Sequence, residues 1–126
     1  MKAKTKGVTF DAVREIGLRL PATEEDTAYG APCLKVNGNR FCGIAINKSA
    51  EPNTLGLHCD FATRDAMIEE QPDLYYTASH YENYPCVLVR LSRVNRDILA
   101  DLLRMSHRYV SARPKTRRRP SKARRR

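Results

Sequence analysis

Asn37-Gly38 stands between two short apolar runs, residues 32–36 and 40–46. Both residues tolerate positive φ, and a two-residue connection of this type suits the twist of paired strands. The pair therefore predicts an antiparallel hairpin, and the rest of the chain must be fitted around it. Residues 54–59 and 74–77 read as two further strands. Residues 86–91, Cys-Val-Leu-Val-Arg-Leu, are the clearest strand, and their near-continuous apolar run predicts a central position buried on both faces.

Three helices complete the pattern. Thr9 suits an N-cap, with Asp11 in the first turn, and Phe10, Val13, Ile16 or Gly17, and Leu20 recur at helical spacing. Pro21 ends that helix, because the residue before a proline avoids the α region. Residues 22–30 are polar and read as a loop. A short helix is expected over 63–70, capped by Thr63 or Asp60. Asn95 caps the last one, where Ile98, Leu102, Met105 and Tyr109 form a stripe widened by Leu99, Leu103 and Val110. The order is α-β-β-β-α-β-β-α. The economical architecture is α+β, a small antiparallel sheet with helices on one face.

A chain of 126 residues holds one domain. Its formal charge of +9 is unevenly placed. Residues 111–126 carry nine cations and no acid: Arg113, Lys115, Arg117, Arg118, Arg119, Lys122, Arg124, Arg125 and Arg126. The other 110 residues hold 14 basic and 14 acidic side chains. Self-repulsion and two prolines predict a disordered tail over 111–126, and residues 1–7 read as a disordered leader. The domain proper is expected over 8–110. No apolar h-region follows Lys2, Lys4 and Lys6, and no stretch approaches the about 20 apolar residues a membrane helix needs. The expectation is a cytoplasmic protein without membrane contact.

Cys33, Cys42, Cys59 and Cys86 each stand alone in strand-like runs, with no C-x-x-C pair. They read as buried thiols, and no metal site is expected. His58-Cys59 is the only adjacent pair of ligand type, and neighbours on a strand point to opposite faces.

Four segments carry a family likeness. They are the opening helix ending at Leu20-Pro21, the stretch 27–41 (TAYGAPCLKVNGNRF), the stretch 80–91 (HYENYPCVLVRL) and the closing amphipathic helix. In this order and spacing they resemble the MmcQ/YjbR family of bacterial proteins over residues 8–110. Leu34 stands where the family usually has an aromatic, and Arg40 where it often has Lys. The resemblance implies a "double wing" α+β fold and, by the family's label, DNA binding. It supplies no catalytic residue, and the basic tail is not part of its pattern.

Two groups of residues are candidate sites. Tyr29, ahead of Gly30 and Pro32, and the loop of His80, Tyr81 and Tyr84 could line a ligand groove, since loops on rigid scaffolds often carry function. Tyr rings there could equally be half-buried packing. Lys35, Arg40 and Arg90 fall on strands and form an anion patch if they share a face. The tail is the strongest functional feature, because nine cations can neutralise several phosphates without reading sequence. The leading expectation is a non-enzymatic module with sequence-tolerant, tail-driven DNA or RNA binding and no cofactor. The alternative is a domain that binds a small molecule or protein partner through the Tyr29, His80 and Tyr84 loops, with the tail as a tether.

Overall fold

A computed structural model of the chain describes residues 7–113, so residues 1–6 and 114–126 lie outside it. Strands β1 (Thr23–Ala28), β2 (Ala31–Val36), β3 (Asn39–Ile44), β4 (Thr54–His58), β5 (Tyr75–Tyr76) and β6 (Cys86–Arg90) form one antiparallel sheet. Their order across the sheet is β1-β2-β3-β4-β6-β5. Helices α1 (Phe10–Gly17), α2 (Phe61–Glu70) and α3 (Arg96–Ser111) complete the α+β domain.

The Asn37-Gly38 hairpin forms as expected, with φ of 54° and 83°. A second hairpin of the same build joins β1 to β2 through Tyr29 (φ 56°) and Gly30 (φ 81°). Strand β1 lies where the sequence reads a loop, so the sheet has one strand more than expected. Its residues, Thr-Glu-Glu-Asp-Thr-Ala, are mostly exposed and show no apolar alternation. Backbone pairing to β2 holds it, together with ion pairs from Lys35 to Asp26 (2.7 Å) and from Arg14 to Glu25 (2.8 Å). Acidic side chains on such an edge also discourage pairing with a second chain.

One face of the sheet meets α1 and α3. Leu34, Val36, Phe41, Leu55, Leu57, Val87 and Val89 pack there against Val13, Leu99, Leu103 and Val110. Each fully buried Leu or Val contributes roughly 1.5–3 kcal/mol, which makes α3 the helix the sheet depends on most. Its stripe is rotated from the expected one. Leu99 and Leu103 are fully buried, while Ile98, Met105 and Tyr109 are half-buried. Thr9, Asp60 and Asn95 cap the three helices through bonds to the amides of Asp11, Thr63 and Ile98. Helix α1 stops at Gly17, where a Cβ would fall 2.2 Å from Leu34 Cδ1, so the glycine lets this helix close on β2. Helix α2 buries no residue, although Met67 and Ile68 touch the common cluster. The expected central strand, β6, lies between β4 and β5, and Leu88 on its other face is also fully buried.

A bulge decides which face β3 presents. Leu34 pairs with Cys42 but Lys35 pairs with Arg40, leaving Phe41 as the extra residue. Such an insertion shifts the alternation of the strand by one. Phe41 and Cys42 both go to the core, and Arg40 goes to the opposite face.

Candidate binding site

The sheet face away from α1 and α3 is where the chemistry collects. Cys33 pairs with Gly43, Gly43 with Gly56, and His58 with Cys86, so these residues are neighbours across four strands. The two glycines leave the middle of this face without side chains. A cavity of ≈ 770 Å³ opens above them, inside the size range of small-molecule pockets. At Gly43 a Cβ would come within 2.8 Å of Cys33 Cβ, so packing explains that glycine. At Gly56 the nearest atom to a Cβ would be the Gly43 oxygen at 3.5 Å, an ordinary contact. Neither backbone strain nor crowding requires Gly56, and what it provides is depth in the floor.

Three segments build the walls: the Tyr29-Gly30 turn, the connection after β3 with Ile46 and Lys48, and the loop 78–85. The last is held by several bonds. The Tyr81 hydroxyl accepts from the Asn47 amide at 3.3 Å, and Arg64 of α2 donates to the Glu82 carbonyl at 2.8 Å. His80 meets Tyr81 edge-on at 4.9 Å and Tyr84 at 6.2 Å. The rim is apolar where water would favour polar groups. Five large hydrophobic side chains are exposed among the described residues, and three of them, Tyr29 (85%), Tyr84 (56%) and Ile46 (54%), stand on this rim. Tyr29 does so from the left-handed region, an uncommon place for a bulky residue.

The electrostatics are one-sided. Arg40 and Lys48 line the cavity, and among the described residues no Asp or Glu does. His58 is kept neutral by burial, helped by Arg40 and Arg113, and its pKa falls to about 4. Its Nδ1 is buried with no hydrogen-bond partner among the described residues. Burial raises the pKa of Cys33 and of Cys86, so both thiols stay protonated at neutral pH. The other two cysteines are also buried and free, with the thiol of Cys59 pushed up to about 12.

Tyr29, Arg40, His80, Tyr81 and Tyr84 thus line one cavity. Lys35 and Arg90 do not join them. Lys35 is taken by Asp26. Arg90 makes a two-pronged bond to Glu51 (3.0 and 2.9 Å), donates to the Pro72 and Asp73 carbonyls, and covers the Tyr76 ring at 4.3 Å. Lys35 is the cross-strand partner of Arg40, so the two share this face, but Lys35 and Arg90 are engaged by local acids and do not line the cavity. Arg113 is exposed just past the end of α3, and the tail cations from Lys115 onward lie outside the described residues. Sequence reasoning placed Gly56, Ile46 and Lys48 in no site and weighed His58 only as a poor metal ligand beside Cys59. The available signal was the pair of glycines inside strand patterns, which marks a bulge or a close approach to the backbone.

These features define an α+β domain built on one antiparallel sheet, with its main helices on one face and a pocket on the other. The YjbR family model matches residues 18–109, and the chain belongs to that family. A structure of Deinococcus radiodurans protein DR2400, of the family-model domain DUF419, superposes with a TM-score of 0.70. That match covers 86% of this chain and 83% of the other at 22% sequence identity, and it shows the shared fold. Uncharacterised proteins Rv2570 of Mycobacterium tuberculosis (strain ATCC 25618 / H37Rv) and Mb2600 of Mycobacterium bovis are each 36% identical over 44 residues. The stretch is 35% of this chain and 34% of theirs, so the chain spans about a third of the length of the curated relatives it matches. Among the described residues no helix is long and apolar enough to cross a membrane.

Proposed function

We propose that the folded domain is a binding module whose site is the cavity over Gly43 and Gly56. The observation that carries this reading is the rim: Tyr29, Ile46 and Tyr84 expose apolar surface around a pocket of ligand size. Exposed apolar patches on a small domain mark places where something docks. The lining favours recognition over turnover. Its thiols are held protonated, and no carboxylate lines the cavity to orient His58 as a base.

The test is a small-molecule fragment screen read by amide chemical shifts, with Gly56→Val as the paired protein. Valine suits a strand and would fill the floor. Hits should move the amides of Tyr29, Gly43, His58 and Tyr84, and the variant should lose them. Hits that avoid these amides, or that ignore the valine, would remove the pocket as the site.

A second reading rests on a separate observation, the nine cations in residues 111–126. The tail binds DNA or RNA through counterion release, without sequence choice. The two readings are compatible, since one concerns the body and the other the tail.

A further inference from the structure

We infer that the pocket selects a flat aromatic ring bearing a negative charge, with the ring over the Gly43–Gly56 floor and the anion at Arg40. This rests on the cavity being a binding site and adds the class of its ligand.

Charge comes first. Several cations elsewhere on the domain are matched locally: Lys35 by Asp26, Arg90 by Glu51, Arg14 by Asp11 and Glu25, Arg96 by Glu15. The smaller hollow between α1 and α3, ≈ 330 Å³, shows the same habit. Its Arg19 and Arg96 both reach Glu15, and its Arg104 reaches Asp101. The exposed Arg93 and Arg108 make no ion pair among the described residues, but they line neither this hollow nor the larger cavity. Arg40 is different. It was placed on this face by the bulge, and its guanidinium makes no ion pair or hydrogen bond among the described residues. A guanidinium is a planar fork suited to carboxylate and phosphate oxygens. His58 lies on the same face, and its buried Nδ1 is a hydrogen-bonding atom without a partner among the described residues.

The ring follows from shape. Two facing glycines expose flat amide backbone, on which a planar group can lie closely. Above that floor stand the rings of His80, Tyr81 and Tyr84, with Tyr29 at the mouth. Aromatic faces and edges are natural partners for a second ring. Nothing in the floor is bulky enough to reject one.

The experiment titrates the full chain with four probes and follows only the Gly43 and Gly56 amides, so that anions held elsewhere do not count. Adenosine monophosphate and indole acetate carry a ring and an anion. Adenosine carries a ring alone and inorganic phosphate an anion alone. Expected is saturable movement with at least one ring-bearing anion, at least tenfold tighter than with adenosine, and none with phosphate. Arg40→Gln should bring that probe down to the level of adenosine, and Arg40→Lys should recover part of the difference. Tighter binding of the nucleotide marks phosphate as the anion, and tighter binding of the indole marks carboxylate. Equal binding of adenosine and its monophosphate, with indole acetate no tighter, would overturn the charge claim, as would a preference that survives Arg40→Gln. Both leave the pocket standing as a neutral site. Silence from all four probes overturns the ligand class, and the fragment screen then decides the pocket separately.

Discussion

Gly43 and Gly56 are direct partners across β3 and β4, yet they are glycine for different reasons. A methyl group at Gly43 meets Cys33 Cβ at 2.8 Å, while one at Gly56 finds only an ordinary contact at 3.5 Å. Gly43→Ala should lower stability by about 1–3 kcal/mol, the usual cost of overpacking. Gly56→Ala should leave stability unchanged or raise it by about 0.5–1 kcal/mol, because glycine weakens a strand interior. Urea denaturation of the two variants checks both signs at once. Equal destabilisation would make Gly56 a packing residue and remove the argument that the floor is left open for a ligand. Tyr29 illustrates the same conflict between stability and site. Its position in the turn favours Asn or Gly, but a ring stands there in strained backbone, 85% exposed, over the cavity mouth. Of these residues the sequence made Tyr29 visible as a loop aromatic. Gly56 carried only the weak mark of a glycine in a strand, since depth in a floor has no local pattern.

The elements that sequence periodicity reveals are those with an apolar face. Helices α1 and α3, the Asn37-Gly38 hairpin and β6 all have one, and they were legible. Strand β1 does not, because its pairing is made by backbone and its side chains face water. The bulge at Phe41 was invisible for a related reason. Two adjacent inward residues, Phe41 and Cys42, look like a buried run, yet they are what turns Arg40 outward. Phe41 has no partner in either ladder, so its carbonyl needs another donor. Ser106 supplies it from α3, with its hydroxyl 2.7 Å from both the Phe41 and the His58 carbonyl oxygens. One proton serves one acceptor at a time, and the serine bridges the helix to two strands that carry pocket residues. Ser106→Ala should therefore cost about 1–3 kcal/mol, the price of unsatisfied buried acceptors. It should also weaken anion binding at Arg40, although Ser106 does not line the cavity. Thermal denaturation together with the ring-anion titration checks both. A variant as stable as the parent, with unchanged binding, would show that the bulge holds without its fastener.

At the scale of the whole chain, charge is divided rather than shared. Residues 7–113 hold 12 basic and 14 acidic side chains, so the +9 of the chain comes from its two ends. On the proposed reading attraction to a polyanion belongs to the tail, while the body offers one unpaired arginine in the larger cavity. The comparison that separates them is the full chain against a version ending at Arg113. A cut at Tyr109 would be wrong, because Val110 is fully buried and α3 runs on to Ser111. Fluorescence anisotropy on unrelated duplexes across a salt series gives the readout. If the tail neutralises about five to eight phosphates, log K for the full chain should fall against log salt with a slope of roughly −4.5 to −7. The shortened protein should lose that affinity and show no preference among duplexes, because its 15 basic and 14 acidic side chains nearly balance and the proposed ligand of the pocket is a ring rather than a duplex. A shortened protein that still binds and prefers one sequence would place base recognition in the body. Arg40 and the Tyr29–Tyr84 rim would then be the first surface to search, since they join a free cation to exposed aromatic rings.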